Sequence, residues 1–196
     1  FLNFLPLGKH FHVITALPNV FLKSLGYPHE KTRLLDLEDE SVWEDESLGI
    51  NHIHQLNWKQ GLDLYTCTEC GRCKEVCPTY TTDKPLNLHD FNDSLKFELL
   101  DNADNLIKRA KLAASIKADT DPEKVEEIKA QMAELNSKKT LIGEVISEDT
   151  LWACTNCRAC EQVCPVTIEH VPRIIALRQG QALMAGEYPQ ELNPAF

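Results

Sequence analysis

The sequence lacks an uninterrupted hydrophobic run of membrane-spanning length, and it lacks an excess of positive charge. Lys9, His10, His12 and Asn19 interrupt its most apolar segment, residues 1–25, so no stretch reaches the roughly 18 apolar residues that indicate a membrane helix. With 20 lysine and arginine residues against 30 aspartate and glutamate residues, the formal charge is −10, which argues against nucleic-acid binding through bulk positive charge. The 196 residues, 43% of them hydrophobic, suit one globular domain or two small ones.

The common motifs of nucleotide binding and hydrolysis are also missing. The chain contains no G-x-G-x-x-G, P-loop, G-x-S-x-G or H-E-x-x-H pattern, so no recognised motif supplies a dinucleotide site, a phosphate site or a hydrolytic nucleophile. It begins at Phe1 and has no signal-peptide pattern, so we expect a processed or partial chain. These absences disfavour a self-contained enzyme.

An internal repeat accounts for all eight cysteines. Residues 64–78 and 151–165 both contain the pattern C-x2-C-x2-C-x3-C-P, and a leucine, an aromatic residue, a threonine and a valine recur at equivalent positions. The repeat is therefore a structural unit and not a coincidence of cysteine spacing. The first run contains Cys67, Cys70, Cys73 and Cys77, and the second run contains Cys154, Cys157, Cys160 and Cys164.

The cysteine spacing predicts two [4Fe-4S] clusters. Three cysteines spaced by two residues allow one tight loop to present three thiolates to an iron–sulfur cube, with backbone N–H groups turned toward the sulfides. The longer step to the last cysteine carries the chain away from that cube, and in two-cluster ferredoxins this cysteine ligates the other cluster. Such crossed ligation joins distant residues and places the clusters close enough for electrons to pass between them. We therefore assign Cys67, Cys70, Cys73 and Cys164 to cluster 1, and Cys154, Cys157, Cys160 and Cys77 to cluster 2.

Zinc and disulfide bonds are the alternative uses of these cysteines. A structural zinc site usually joins two C-x2-C pairs, and it has no use for a third cysteine at the next step followed by C-P. Four disulfides would have to form within short, crowded loops where their geometry is poor. The pattern favours iron–sulfur clusters, with a structural zinc-binding scaffold as an alternative.

The segment between the two runs is predicted to be helical. Its 76 residues, 78–153, are too many for a loop without secondary structure. Apolar residues recur at helical spacing on both sides of a break near 101–104. Asp121 and Pro122 are typical of an N-cap and first helical position, and that helix should end near Asn136. The apolar positions are Leu95, Leu99, Leu106, Ile107, Ala110 and Ala114, followed by Val125, Ile128, Met132 and Leu135.

Short helices are predicted beside each run as well. Residues 58–64 and 147–152 precede the runs, and Ser147 is a candidate N-cap. A helix with Pro172 near its start and Gly186 beyond its end follows the second run. One face of this helix is marked by Val171, Ile174, Ile175, Arg178 and Ala182. No convincing alternating strand is present, so the fold class is mainly α, and a ferredoxin built on short βαβ units is disfavoured.

The runs and their flanks resemble the dicluster ferredoxin domain of heterodisulfide reductase-related iron–sulfur oxidoreductases. The matching stretches are residues 58–73 and 151–160, continuing to Ile168, Glu169 and His170. The resemblance implies an alpha-helical ferredoxin, a fold shared with the iron–sulfur subunits of succinate dehydrogenase. It implies two [4Fe-4S] clusters, the crossed ligation assigned above, and a long helical insert between the cysteine motifs.

The start of the chain, residues 9–19, is similar to the segment that leaves the last membrane helix in members with a nitrate-reductase-gamma-like haem b domain. This similarity implies a fragment of a membrane-bound protein at the cytoplasmic face of the membrane, with haem and quinone chemistry upstream and cysteine-rich domains downstream. We expect a membrane-proximal segment at 1–35, an acidic linker at 36–57, the alpha-helical dicluster ferredoxin domain at 58–190 and a C-terminal tail at 191–196.

The function that we expect is electron transfer. The module would relay single electrons through two clusters, between a redox protein or further domain of a longer chain and an acceptor linked to a membrane haem b or quinone domain. An iron–sulfur catalytic subunit of a heterodisulfide-reductase-like oxidoreductase is the alternative, and it requires a flavin, a third metal site or a cysteine-rich domain. Each oxidised cluster with four thiolates adds −2, so the formal charge falls from −10 to −14, which favours positively charged partners and argues against DNA.

Several other groups receive secondary interpretations. Seven of the eleven residues from 36 to 46 are acidic and are read as a solvated linker. The pairs His10 with His12 and His52 with His54 are read as loop or surface residues, and no haem ligation is assigned to them. Arginines inside the two loops are candidates for offsetting cluster charge, and five apolar residues are candidates for a dry wall around the clusters. These are Arg72 and Arg158, and Tyr65, Val76, Trp152, Val163 and Ile168.

Overall fold

The computed structural model describes residues 11–23, 48–116, 122–136 and 138–195, and their regular structure is helical. Within these ranges no strand is present, and one isolated bridge joins Ile142 to Ile146. The mainly α fold class is thereby confirmed. The helices are α1 Phe11–Phe21, α2 Trp58–Thr66, α3 Arg72–Glu75, α4 Pro78–Thr81, α5 Leu88–Asp101, α6 Ala103–Ile116, α7 Pro122–Glu134, α8 Glu148–Trp152, α9 Ala159–Gln162 and α10 His170–Gln179.

Side-chain caps fix where the helices beside the cysteine runs begin. The Asn57 side chain accepts a hydrogen bond from the Gln60 backbone, and the Gln60 side chain accepts one from the Asn57 backbone. Ser147 accepts from the Thr150 backbone at the start of α8. These contacts satisfy N–H groups that the first turn of a helix leaves unpaired. The predicted short helices and the Ser147 cap are confirmed.

The segment between the runs contains three long helices. Asn102 separates α5 from α6, as the predicted break requires. Pro122 begins α7, which ends at Glu134, so this helix is confirmed as well, whereas the predicted cap Asp121 lies outside the described residues. After α10 the chain continues through a wide helical turn, Gly180–Ala185. This turn ends at Gly186, whose backbone lies in the left-handed region with a φ of 69°. Glycine adopts that conformation without steric cost.

A single hydrophobic core lies between the segments that carry the cysteines. Helix α2 packs on α5, α3 packs on α9, and α8 and α9 both contact α10. The two cysteine runs therefore share one apolar core. Its fully buried members include Leu64, Leu88, Leu95, Leu141, Leu151, Ile174 and Leu177.

Helix α1 packs against α2 through a buried polar contact. Asn19 is fully buried, and its side-chain amide donates to Asp63 Oδ1 at 3.0 Å and to the Val166 carbonyl at 2.9 Å. The Phe11 ring also meets the edge of Tyr65, with ring centroids 5.8 Å apart. Asn19 thus joins α1 to segments next to both cysteine runs.

Residues 48–57 belong with the core and not with the acidic linker in which the sequence boundaries place them. Leu48, Ile50 and Ile53 are buried, and the Ile50 N–H donates to the Ala176 carbonyl at 2.9 Å. The reason is a close backbone contact between this segment and the end of α10. Residues 36–47, including the acidic run, lie outside the described residues.

Two glycines make that close contact possible. A Cβ added to Gly49 would lie 2.0 Å from the Gly180 nitrogen, and one added to Gly180 would lie 2.5 Å from the Ile50 carbonyl oxygen. Both obstacles are backbone atoms, which cannot rotate away. Gly61 in α2, by contrast, has open space where a Cβ would be placed.

We predict opposite effects on stability for two glycine-to-alanine substitutions. Gly49→Ala should lower the free energy of unfolding by at least about 1–3 kcal/mol, because overpacking forces two backbone segments apart. Gly61→Ala should raise it by about 0.5–1 kcal/mol, because alanine is the better helix residue. The measurement is anaerobic urea unfolding followed by circular dichroism. Equal midpoints for the two variants would contradict the close contact.

Candidate metal centre

The two cysteine runs fold into loops with the same backbone conformation. In the first loop Glu69 and Gly71 have left-handed φ values of 55° and 75°, and in the second loop the equivalent Asn156 and Arg158 have 57° and 61°. The N–H groups of Glu69 and Asn156 each donate to the thiol two residues earlier, at 3.4 Å in the second loop. Left-handed residues in such positions turn successive N–H groups toward one side, which suits an anionic group.

The first loop and Cys164 surround one cavity. Ile168 and His170, from the segment after the second run, contribute to its wall. The thiols of Cys67 and Cys73 interact electrostatically with that of Cys164. The cavity is lined by Cys67, Thr68, Cys70, Gly71, Arg72, Cys73, His89, Cys164, Ile168 and His170.

The second loop and Cys77 surround a second cavity. The thiol of Cys154 interacts electrostatically with that of Cys77. Each cavity thus collects three thiols from one run and a fourth from the other. The wall comprises Cys77, Thr79, Leu88, Cys154, Thr155, Cys157, Arg158, Cys160 and Val171.

Hydrogen bonds fix the chain where each fourth cysteine crosses to the other loop. Thr79, two residues after Cys77, is buried, and its hydroxyl donates to the Ala153 carbonyl at 3.0 Å. On the other side the Ile168 N–H donates to the Cys164 thiol at 3.4 Å. The Glu169 N–H donates to Asp63 Oδ2 at 3.3 Å. Both crossings are therefore held by contacts between the two halves of the domain.

Burial raises the pKa of four of the thiols, Cys67, Cys73, Cys154 and Cys160, which favours their protonated forms when nothing is bound to them. It raises the pKa of Cys73 to about 11, with the neighbouring thiols adding to the effect. Burial also raises the pKa of Cys160, and Glu161 and neighbouring thiols of both runs raise it further. A cation must displace these protons to bind, since only thiolates ligate metals.

No disulfide bond joins any of the eight cysteines. The donor set of each cavity, four thiols with inward-turned N–H groups, fits a [4Fe-4S] cluster. No group of three His, Cys, Asp or Glu side chains converges on a single-ion site in the part of the chain that is described.

Some of the residues predicted to surround the clusters line the cavities, and others do not. Ile168 is buried and lines the first cavity, whereas Val76 is 39% exposed, so its predicted place in a dry wall is wrong. Arg158 lines the second cavity, and its guanidinium lies 3.4 Å from Glu161. His52 and His54 stack on each other, with ring centroids 5.4 Å apart, and neither lines a thiol cavity. His10 lies outside the described residues.

Sequence reasoning missed five wall residues, because each lies outside the cysteine motif. His89 and His170 line the first cavity, and Thr79, Leu88 and Val171 line the second. Leu88 and His89 come from the first turn of α5, and His170 and Val171 from the first turn of α10. In both halves, a helix that follows the C-P pair provides these four residues. The first two residues of that helix line different cavities.

An all-helical domain with two adjacent four-thiol cavities is the architecture of an iron–sulfur electron-transfer protein. The chain belongs to the 4Fe-4S dicluster domain family, whose model matches residues 63–168. The family assignment confirms the predicted iron–sulfur chemistry and decides against the zinc scaffold. Two [4Fe-4S] clusters are the cofactors, and iron–sulfur electron transfer is the class of function.

Three curated relatives extend well beyond this chain. The "EtfAB:quinone oxidoreductase" of Syntrophomonas wolfei is 33% identical over 201 residues, covering 100% of this chain and 26% of the relative. The "Probable iron-sulfur-binding oxidoreductase FadF" of Bacillus subtilis is 35% identical over 213 residues, covering 100% and 28%. The "Probable membrane-anchored ferredoxin" of Chromohalobacter salexigens is 29% identical over 161 residues, covering 80% and 22%. The chain thus spans about a quarter of their length. No solved structure matches.

The left-handed backbone of the second loop yields a testable prediction. Asn156→Val should weaken cluster retention, because a β-branched residue in this region costs about 1–2 kcal/mol, whereas Asn156→Gly should retain iron as the parent chain does. Iron per chain after anaerobic gel filtration, and the rate at which visible absorbance is lost on warming, measure the difference. If both variants keep iron equally well, the left-handed conformation is not required for binding.

Proposed function

We propose that the two clusters are ligated by exchange of the fourth cysteine. Cys67, Cys70, Cys73 and Cys164 hold cluster 1, and Cys154, Cys157, Cys160 and Cys77 hold cluster 2. The observation that carries the proposal is the composition of the two cavities, each with three thiols from one run and one from the other. The hydrogen bonds from Thr79 and Ile168 at the two crossings support it.

The chain's own residues prepare the sites for one-electron transfer. A bound [4Fe-4S] cluster supplies one-electron redox chemistry. The helices α3 and α9, which follow the two loops, are in contact, and the thiols of Cys73 and Cys160 are near enough to interact electrostatically. This adjacency places the two redox groups side by side, as an electron relay requires. Buried apolar residues such as Leu88 and Ile168 keep water from the cavities.

We propose that electrons pass between a redox protein, or another domain of a longer chain, and a quinone-linked acceptor at the cytoplasmic face of a membrane. The names of two relatives, a quinone oxidoreductase and a membrane-anchored ferredoxin, support a quinone-linked acceptor at a membrane. The remainder of the longer relatives offers room for such partners. In the described part of the chain, no helix is long and apolar enough to cross a bilayer.

The crossed ligation predicts which cluster each serine substitution damages. Cys164→Ser should disturb cluster 1, in the first loop, and spare cluster 2. Cys77→Ser, its counterpart in the repeat, should do the reverse. Electron paramagnetic resonance of the anaerobically reduced variants, with iron analysis, distinguishes the two clusters. If each substitution damages the cluster of its own run, the exchange is wrong.

The parent chain provides the reference for that experiment. It should contain about eight iron atoms, take up two electrons, and give a reduced spectrum that is broadened by interaction between neighbouring clusters. Two reduced clusters with no magnetic interaction would contradict the relay. Each single substitution should remove the broadening, because one paramagnetic neighbour is altered or lost.

The exposed face of α1 supports attachment to a membrane. Leu17 is 79% exposed and Phe21 is 86% exposed, while Val13 and Ile14 beside them are also exposed. The opposite side of α1 is fixed to the domain through Asn19. A helix held in this way presents apolar side chains outward, as interfacial helices do.

We predict that Leu17→Gln combined with Phe21→Gln lowers binding to phosphatidylcholine vesicles at least tenfold, because two large apolar side chains no longer enter the lipid. Neutral lipid suits a chain of net charge −10. The matched control is Phe97→Gln with Ile107→Gln, which changes side chains that are 63% and 53% exposed. Cosedimentation measures the partition. Equal losses in both double variants, or no binding by the parent chain, would contradict the attachment through α1.

A further inference from the structure

A fully buried arginine lies on α10, between the segments that form the two cavities. Arg173 has 0% of its surface exposed. Its NH2 group donates to Asn92 Oδ1 at 2.7 Å and to His170 Nδ1 at 3.3 Å, and the guanidinium lies 6.0 Å from the centre of the Phe91 ring. These neighbours are neutral, so they satisfy hydrogen-bonding groups without balancing the charge.

The rest of the guanidinium has no partner of its own. Its Nε and NH1 groups are buried without a hydrogen-bond acceptor among the described residues. An arginine keeps its charge under all ordinary conditions. A buried charge is costly unless an opposite charge and hydrogen-bond acceptors accompany it. The described residues around Arg173 provide neither an ion pair nor acceptors for its Nε and NH1 groups.

The two carboxylates whose charges act on Arg173, Asp63 and Glu161, are committed to other partners. Asp63 accepts from Lys59 at 2.7 Å, and Glu161 lies 3.4 Å from Arg158 while accepting from the Val171 N–H at 2.9 Å. Neither carboxylate lies within ion-pair distance of Arg173 in the described part of the chain. The two carboxylates interact electrostatically with Arg173, but they do not accept hydrogen bonds from its Nε and NH1 groups.

Among the residues that the structure describes, the groups that remain are those of the two cluster sites. In their thiolate forms, Cys67 from the first cavity and Cys160 from the second are near enough to interact electrostatically with Arg173. The hydrogen-bond neighbour His170 also lines the first cavity. Since an arginine can only donate, His170 Nδ1 accepts, and the neutral ring carries its proton on Nε2. Burial, together with Arg173, lowers the pKa of His170 to about 3, so this ring is neutral at ordinary pH.

We propose that Arg173 is the internal counter-cation of the two iron–sulfur clusters and a positioning residue that raises their reduction potentials. The inference rests on the proposed function, because it requires both cavities to hold clusters. A four-thiolate cluster passes from −2 to −3 on reduction. A fixed positive charge in a buried, low-dielectric environment therefore stabilises the reduced form more than the oxidised form.

The test replaces the charge while keeping polar contacts. Arg173→Gln should retain iron but shift at least one cluster to a more negative midpoint potential. The shift should correspond to a tenfold or greater change in the reduction equilibrium, about 59 mV for one electron. Arg173→Lys, which keeps the charge, should stay closer to the parent chain. Lys108→Gln on α6, which removes an exposed charge, is the matched control and should leave both potentials unchanged. Potentials are read from anaerobic redox titrations followed by paramagnetic resonance.

Each outcome has a defined meaning. Loss of iron from Arg173→Gln with retention in Arg173→Lys would also support the proposal, because the charge is then needed for cluster binding itself. The proposal is overturned if Arg173→Gln keeps the parent potentials, if Arg173→Lys shifts as far as Arg173→Gln, or if both variants lose iron. The proposed function fails separately, when the parent chain contains no pair of clusters.

Discussion

The exchange of one thiol between two distant loops is the constraint on which the rest of this structure depends. Each cavity takes three cysteines from one run and a fourth from the other, so neither half of the domain can form a complete site alone. Joining residues so far apart in sequence removes conformational freedom from the unfolded chain. The buried hydroxyl of Thr79 and the backbone of Ile168 hold the two crossings. The helical insert connects the two cysteine runs. Its first long helix, α5, packs Leu88 and Leu95 into the core that the two runs share.

The two loops repeat in backbone but not in surroundings. Left-handed residues recur at equivalent positions, yet the first cavity has two histidines in its wall and the second has Leu88 and Val171 instead. Solvent access, local polarity and hydrogen bonds to sulfur tune the potential of an iron–sulfur cluster. Repetition of the loop therefore does not give two equivalent redox sites here. The differences come from the helices that follow each run, where one residue faces one cavity and the next residue faces the other.

The sequence predicted the parts of this fold that are encoded locally. The cysteine spacing identified the chemistry, and Ser147 and Asn102 marked helix boundaries through caps and breaks that involve only neighbouring residues. What the sequence did not reveal depends on contacts between distant segments. Leu48 is buried because Gly49 meets Gly180 across the fold, and composition alone placed it in an acidic linker. Arg173 looked like one of many arginines, because its burial follows from packing between α5 and α10 and not from any local pattern.

Buried hydrogen bonds connect helix α1 with the first cluster site. Asn19 binds Asp63 and the Val166 carbonyl, while the other oxygen of Asp63 accepts the Glu169 N–H. Between those two points lies Ile168, whose N–H contacts the Cys164 thiol. A segment of four residues is thus held at both ends by contacts that reach α1 directly or through Asp63. Because these groups are buried, breaking any one leaves a polar atom without water, which makes the arrangement stiff. The exposed apolar face of α1 and the fourth thiol of the first site therefore keep a fixed spatial relation, so a surface that binds α1 is held at a defined position relative to that site.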